Sequence, residues 1–283
     1  MRKLLSLIFL LGFCSTAFAV ELPAINKSKI RLSIPAGNST QGEISIENTT
    51  GEARTMKVYL SDWNYLPVAD GSKEFLPMNT SKLSCSSWIS FSPSEIELGP
   101  YSKHKVNYSI KVPKDAQGGY YAAIFFESIF GRIETTKDQL KAGMNIAIRI
   151  ATLFYIDVEG TVKRTADLSN LVIEKDSSKD AINISLDLEN TSNADITCGG
   201  TFHIMDSNSI VKDRGEFNTV YTFPGGKAKL KAGSKVDLDD GLYDVILTFD
   251  LGKGFEEEGE ATGPVLTKET KIEVKNKRIV SVN

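Results

Sequence analysis

The 283-residue chain carries 33 Lys and Arg against 36 Asp and Glu, a formal net charge of −3, with no basic cluster of the kind that marks a nucleic-acid face. Its two histidines, His104 and His203, lie at no metal-ligand spacing from another His or Cys. With no nucleophile elbow, phosphate loop or dinucleotide fingerprint either, the chain reads as a non-enzyme that needs no metal and no cofactor.

The N-terminus reads as a secretory signal. Arg2 and Lys3 precede an apolar run over residues 4–13, and Ala17-Phe18-Ala19 supplies a cleavage site. The run is shorter than the roughly 20 residues a membrane-spanning helix needs. Residues 1–19 are therefore expected to be removed, with Val20 first in the mature chain. No later segment is apolar enough to span a membrane, so the protein is expected in the periplasm or associated with the cell surface.

Strand alternation dominates the mature chain. In residues 104–112, Val106, Tyr108, Ile110 and Val112 alternate with Lys105, Asn107, Ser109 and Lys111. Residues 120–126 are apolar on both faces, as in a strand covered on both sides. Residues 128–143 read as a long loop, and 136–140 as the best helical candidate, about one turn long. Residues 144–158 form a run about twice the usual strand length. A junction falls near 160–164, after which alternation resumes in 182–189 and 241–251. Turn pairs such as Asp70-Gly71, Gly118-Gly119 and Gly225-Gly226 punctuate the runs. The expected cores contain Val106, Tyr108, Ile110, Tyr121, Ile124 and Phe126 in the first half. The second half offers Ile184, Leu186, Leu188, Tyr243, Val245 and Leu247. Cys85 and Cys198 fall in different halves, so no disulfide is expected within either, and Cys198 sits on the apolar face of a strand with Ile196 and Phe202.

A weak repeat links the halves. Ile44-Ser45-Ile46-Glu47-Asn48-Thr49-Thr50 is echoed by Leu186-Asp187-Leu188-Glu189-Asn190-Thr191-Ser192. In each half a lysine-dotted strand, a glycine and a Tyr-led strand come later. The Asn-x-Ser/Thr triplets at Asn48 and Asn190 read as chance products of a Ser/Thr-rich β surface. The fold class is all-β: two tandem immunoglobulin-like antiparallel sandwiches, over residues 20–162 and 163–283.

Residues 30–158 resemble the PapD-like periplasmic pilus-assembly chaperones. The likeness is clearest in Ile146-Ala147-Ile148-Arg149-Ile150-Ala151-Thr152-Leu153-Phe154-Tyr155, similar to their long last strand of the first domain, and in the opening Lys29-Ile30-Arg31 with Gly42 and Asn48 beyond it. Trp88-Ile89-Ser90-Phe91-Ser92-Pro93 and residues 112–120 are also similar to exported WxL-interacting proteins, whose first domain is PapD-like. The chaperone resemblance implies strand addition. The long strand lends apolar side chains to an incomplete β-rich subunit, pilin-like or from another surface structure, and a basic pair holds that subunit's C-terminal carboxylate.

Carried onto this chain, the partner-binding residues are Met144, Ile146 and Ile148 along the strand, with Lys29, Arg31 and Arg149 for the carboxylate. Thr152 stands where the resemblance expects a lysine. Counting back from Leu153-Phe154-Tyr155 puts Gly143, Asn145 and Ala147 at the donor positions. A one-residue slip or bulge would exchange them for the large residues. The alternative function is an envelope or cell-surface interaction module whose sandwiches act as spacers or adhesive units.

Overall fold

A computed structural model describes residues 23–134, 143–176, 181–255 and 263–282. The proposed signal peptide, the helical candidate at 136–140 and the acidic run Glu256-Glu257-Glu258 lie outside the described residues. Among the described residues, the first half is built of β1 (Ala24–Ile25), β2 (Lys29–Ile34), β3 (Ser39–Glu47), β4 (Arg54–Tyr65), β5 (Lys73–Leu76), β6 (Ile89–Ser92), β7 (Glu95–Leu98), β8 (Lys103–Lys111), β9 (Gly119–Glu134) and β10 (Gly143–Val158). The second half holds β11 (Ala166–Asp176), β12 (Ala181–Asn190), β13 (Ile196–Asp206), β14 (Val211–Glu216), β15 (Val220–Thr222), β16 (Lys227–Ser234), β17 (Gly241–Asp250), β18 (Val265–Lys275) and β19 (Arg278–Val282).

Each half is a two-sheet sandwich. The first packs a β1-β3-β8-β6 sheet on a β2-β10-β9-β4-β5 sheet, with β7 also on β4. The second packs β11-β12-β16 on β14-β13-β17-β18-β19, with β15 on β13. Period-two alternation dictates this, because each strand has one apolar face to bury. The expected core positions are all buried, with Val106, Ile110, Ile124 and Phe126 at 0 % exposure in the first sandwich and Leu186, Val245 and Leu247 at 0 % in the second. Gly42 lies opposite Tyr108 in the β3–β8 register, and a Cβ there would overlap the tyrosine ring, so the ring needs a glycine beneath it. Ile110 is packed between β3 and β6 opposite Thr40 and Ile89. Ile110→Val is expected to cost about 1 kcal/mol in urea denaturation; no measurable change would place its terminal methyl outside the core.

Residues 120–126 serve two cores. Ala122, Ile124 and Phe126 point between the sheets, while Ala123, Phe125 and Tyr121 join Trp63 and Tyr155 in a separate cluster on the opposite face. Tyr121 thus belongs to the second cluster, not to the sandwich interior: successive side chains in a strand face opposite ways.

The repeat is visible in the backbone and in one buried device. β3 pairs β8 as β12 pairs β16, and β4 pairs β9 as β13 pairs β17. Lys105–Glu43 and Lys103–Glu47 ion pairs cross the first outer face, as Lys229–Asp187 and Lys227–Glu189 cross the second. The Asn-x-Ser/Thr triplets need correcting. Asn48 and Asn190 are buried at 0 % and 1 % exposure, each tying its own loop together. Asn48 Nδ2 donates to the carbonyls of Glu52 and Gly99, and Oδ1 accepts from the Thr50 amide and hydroxyl. Asn190 Nδ2 donates to Ala194 and Thr222, and Oδ1 accepts from the Ser192 amide and hydroxyl.

Candidate functional site

The chain enters by crossing between sheets. β1 pairs antiparallel with β3, and β2 then runs parallel to β10, but only along Leu153–Val158. Thr152 Oγ1 donates to the Lys27 carbonyl at 2.6 Å and the Leu153 amide to Ser28 at 2.9 Å, marking where this cover begins. From residue 143 to 152 the outer edge of β10 has no strand beside it among the described residues. On the other side β4 covers β9 only up to Glu127. Beyond that point β9 and β10 form a two-stranded ribbon that leaves the sheet, so residues 128–134, expected as loop, are strand.

The direction of the edge groups is set by two bonds. The Leu153 amide points to the β2 side and the Val158 amide donates to Gly118 on the β9 side. Backbone groups alternate along a strand, so the amides of Ala147, Arg149 and Ala151 point out at the open edge and that of Ile148 points to β9. The register shifts between Ile146, opposite Gly131, and Ala147, opposite Ile129, leaving Phe130 as the extra residue. The bulge therefore lies in β9, and the count along β10 is unchanged: Ile148 and Ile150 share the face of Phe154 and Ile156. It also interrupts the outer edge of β9, a device that discourages strand pairing, while the β10 edge stays regular. Met144 and Ile146 hold register positions opposite Ile133 and Gly131, Ile148 is half-buried, and Arg149 is exposed and pairs with Glu127 at 2.9 Å. Glu127 also accepts from the Tyr59 hydroxyl at 2.6 Å, and burial together with that carboxylate pushes the Tyr59 hydroxyl up to about 12.

Beside the edge the two sandwiches meet at a buried junction, where the expected role of Arg31 needs correction. Its side chain is 0 % exposed and forks onto Asp195 at 3.0 and 2.6 Å, with Asp157 at 3.7 Å. Arg164 bonds Asp157 at 2.6 Å and reaches Asp195 at 3.4 Å. The Phe255 ring covers both guanidiniums, 4.1 Å from Arg31 and 4.7 Å from Arg164. The Asp195 amide donates to the Tyr121 hydroxyl at 2.6 Å. Arg31 is thus spent joining the two sandwiches and offers no face to an incoming carboxylate.

Burial pushes the Asp195 carboxyl up, but the Arg31 charge and hydrogen bonds, then Arg164, outweigh it and hold Asp195 below its ordinary value. Burial and the neighbouring Asp195 raise Asp157 instead. A lowered folded-state pKa gives stability present above the unfolded value and lost as pH falls below it. The raised Asp157 acts in the opposite sense, favouring the folded state once protonated and thereby offsetting part of that loss. The junction is expected to weaken below about pH 4, the ordinary carboxylate range, and Asp195→Asn should flatten that acid limb of a stability–pH profile.

Aromatic side chains fill the rest of the junction, with Trp63, Tyr121 and Tyr155 all buried. Tyr121 stacks on Phe223 of the second sandwich with centroids 4.0 Å apart, Trp63 lies 5.0 Å from the same ring, and the Tyr65 and Tyr155 hydroxyls meet at 3.0 Å. Two half-buried lysines sit against this cluster. Lys29 Nζ is 4.3 Å from the Tyr155 centroid, and Lys73 Nζ is 5.4 Å from that of Tyr65 and 5.8 Å from that of Trp63. Lys73 donates to the Gly71 carbonyl at 2.7 Å and has no carboxylate within ion-pair distance among the described residues. Burial, then the nearby Lys29 charge, lower its pKa. Lys73 carried no signal in the sequence: it sits in a short edge strand far along the chain from Lys29.

Fold and site together define a protein of two immunoglobulin-like sandwiches, sealed by a buried aromatic and ion-pair junction, with a ribbon whose β10 edge is unpaired among the described residues. No family model and no curated protein matches the chain. Among solved structures, it is similar to the class 5 fimbriae chaperone CfaA at 13 % identity, covering 87 % of this chain and 99 % of that one, with a TM-score of 0.46. It is also similar to a chain of a chaperone–tip adhesin complex of CFA/I fimbriae biogenesis, at 12 % identity, 88 % and 98 % coverage and a TM-score of 0.46. The E. coli chaperone DraB matches at 8 % identity, 87 % and 95 % coverage and a TM-score of 0.43. Likeness of this degree bears on neither partner nor activity. Among the described residues no helix is long and apolar enough to cross a membrane.

Proposed function

We propose that this is an exported, non-enzymatic, chaperone-like protein that takes up an extended segment of a β-rich envelope or pilus subunit by strand addition to β10. The observation that carries the reading is the regular edge over residues 143–152, unpaired among the described residues and ending where β2 begins. A partner strand there would satisfy the outward amides and carbonyls, with Met144, Ile146 and Ile148 as apolar neighbours and Arg149 as a charged one. β2 runs parallel to β10. A segment laid ahead of β2 in the same direction would therefore finish beside Lys29. Lys29 and Lys73 suit a C-terminal carboxylate at that end and oppose an N-terminal ammonium, which selects the parallel orientation. Arg31 acts from behind, holding the junction together.

The test places proline where it removes only an outward amide. Ala147→Pro is expected to leave the fold intact and to lower capture of envelope proteins by roughly tenfold or more, since edge strands tolerate proline on the open side. Ile148→Pro removes a ladder bond to β9 and is expected to destabilise the ribbon. Ile148→Glu keeps every amide and is expected to lose capture by placing a charge on the half-buried apolar face of the strand. Unchanged recovery of the same partners by both Ala147→Pro and Ile148→Glu would reject strand addition at this edge and leave the spacer or adhesive role.

A further inference from the structure

We infer that the turn between β4 and β5 is a strap by which the first sandwich completes the second, so that the second sandwich depends on it for closure. The turn belongs to the first sandwich by sequence and by pairing: Asp62 to Tyr65 of β4 lie opposite Leu76 to Lys73 of β5. Ala69 at its tip is nevertheless 3 % exposed and packs in the core of the second sandwich, with Ile196, Val220 and Leu230 among that core's members. The Ala69 carbonyl accepts the Tyr221 amide at 2.9 Å, so a backbone bond joins the turn to β15.

The turn is shaped for this reach. The Ala69 amide donates to Leu66 and the Leu66 amide to Ser72, both at 2.9 Å, and Asp70 Oδ1 accepts the Ser72 amide at 2.9 Å. Ala69 adopts φ 57°, a left-handed conformation that is strained for a residue with a Cβ. Glycine would relieve that strain at once, and the methyl is the atom group that enters the neighbouring core. Gly71, at φ 91°, lies so close to Tyr221 that a Cβ would stand 3.1 Å from the ring. Without the turn, the second sandwich would have an uncovered apolar site and an unpaired Tyr221 amide, two defects that each favour local opening.

The two buried cysteines report on the two cores separately. Cys85 lies in the first and Cys198 in the second, each at 0 % exposure. Thiol labelling of the full-length exported protein, read per cysteine by mass spectrometry, measures the opening of each. In Ala69→Glu, Cys198 is expected to label about tenfold faster than in the wild type in native buffer, with Cys85 changed by less than about twofold. Gly71→Ala, a milder change that disturbs the Tyr221 contact and the positive φ, is expected to shift Cys198 in the same direction by a smaller factor. Cys198 protection equal to wild type in both variants would overturn the inference. So would Cys85 opening as much as Cys198, which would mean that the two sandwiches open as one unit and that the turn is no specific closure of the second.

Discussion

Arg31→Ala is expected to destabilise the protein by about 3–5 kcal/mol, because it leaves the buried Asp195 carboxylate without its forked partner. Asp195 and the Arg31 side chain are both 0 % exposed, and Arg164 at 3.4 Å is too distant and too committed to Asp157 to replace a bidentate bond. The loss concentrates at the junction, since Arg31 lies on β2 and Asp195 just before β13, 164 residues apart. Urea denaturation should show a lower midpoint, and the aromatic contacts of Phe223 with Tyr121 and Trp63 should loosen with it. A second variant separates the pair from its desolvation cost. Arg31→Met with Asp195→Leu removes both charges and is expected to restore most of the loss, as apolar replacements of buried ion pairs do. A cost below about 1 kcal/mol for Arg31→Ala would mean that water reaches Asp195 and that the junction is not sealed.

Local periodicity makes the strands and both cores legible from the residues alone, because alternation states which residues of a strand are inside. The strand over 144–158 is legible for the same reason. What stays hidden is set by contacts between distant segments. Nothing near Arg31 announces Asp195, and a basic residue in an opening strand reads equally as a ligand for a partner and as half of a buried pair. Residues 128–134 read as loop because Gly131, Arg132 and the bulge at Phe130 break the alternation that marks a strand. Tyr121 reads as sandwich core because an apolar run on both faces does not say which face meets which neighbour. Lys73 and Ala69 are invisible for a third reason: their roles come from a hairpin of the first sandwich reaching the second, and topology alone supplies that.

The Asn-x-Ser/Thr triplets show how a repeat weak in sequence can be strict in chemistry, and they yield a matched pair of experiments. Asn190→Ala is expected to cost about 3 kcal/mol, since it removes several buried hydrogen bonds and each group left unsatisfied costs about 1–3 kcal/mol before relaxation. The groups are the Ala194 carbonyl at 3.2 Å, the Thr222 carbonyl at 3.1 Å and the Ser192 amide at 2.9 Å. Asn48→Ala removes the bonds to the Glu52 carbonyl at 2.7 Å, the Gly99 carbonyl at 2.9 Å and the Thr50 amide at 3.1 Å, the same set in the same order. Its cost is therefore expected to agree with that of Asn190→Ala within about 1 kcal/mol. Asn→Asp at either position keeps the acceptor and exchanges both donors for a carboxylate facing carbonyls, so it should cost at least as much as alanine above about pH 5 and less in acid, where the protonated form regains a donor. The same burial keeps each amide nitrogen from modification in the folded chain. If Asn48→Ala costs less than about 0.5 kcal/mol while Asn190→Ala costs its full share, the two loops are not equivalent and the resemblance between the halves is confined to strand order.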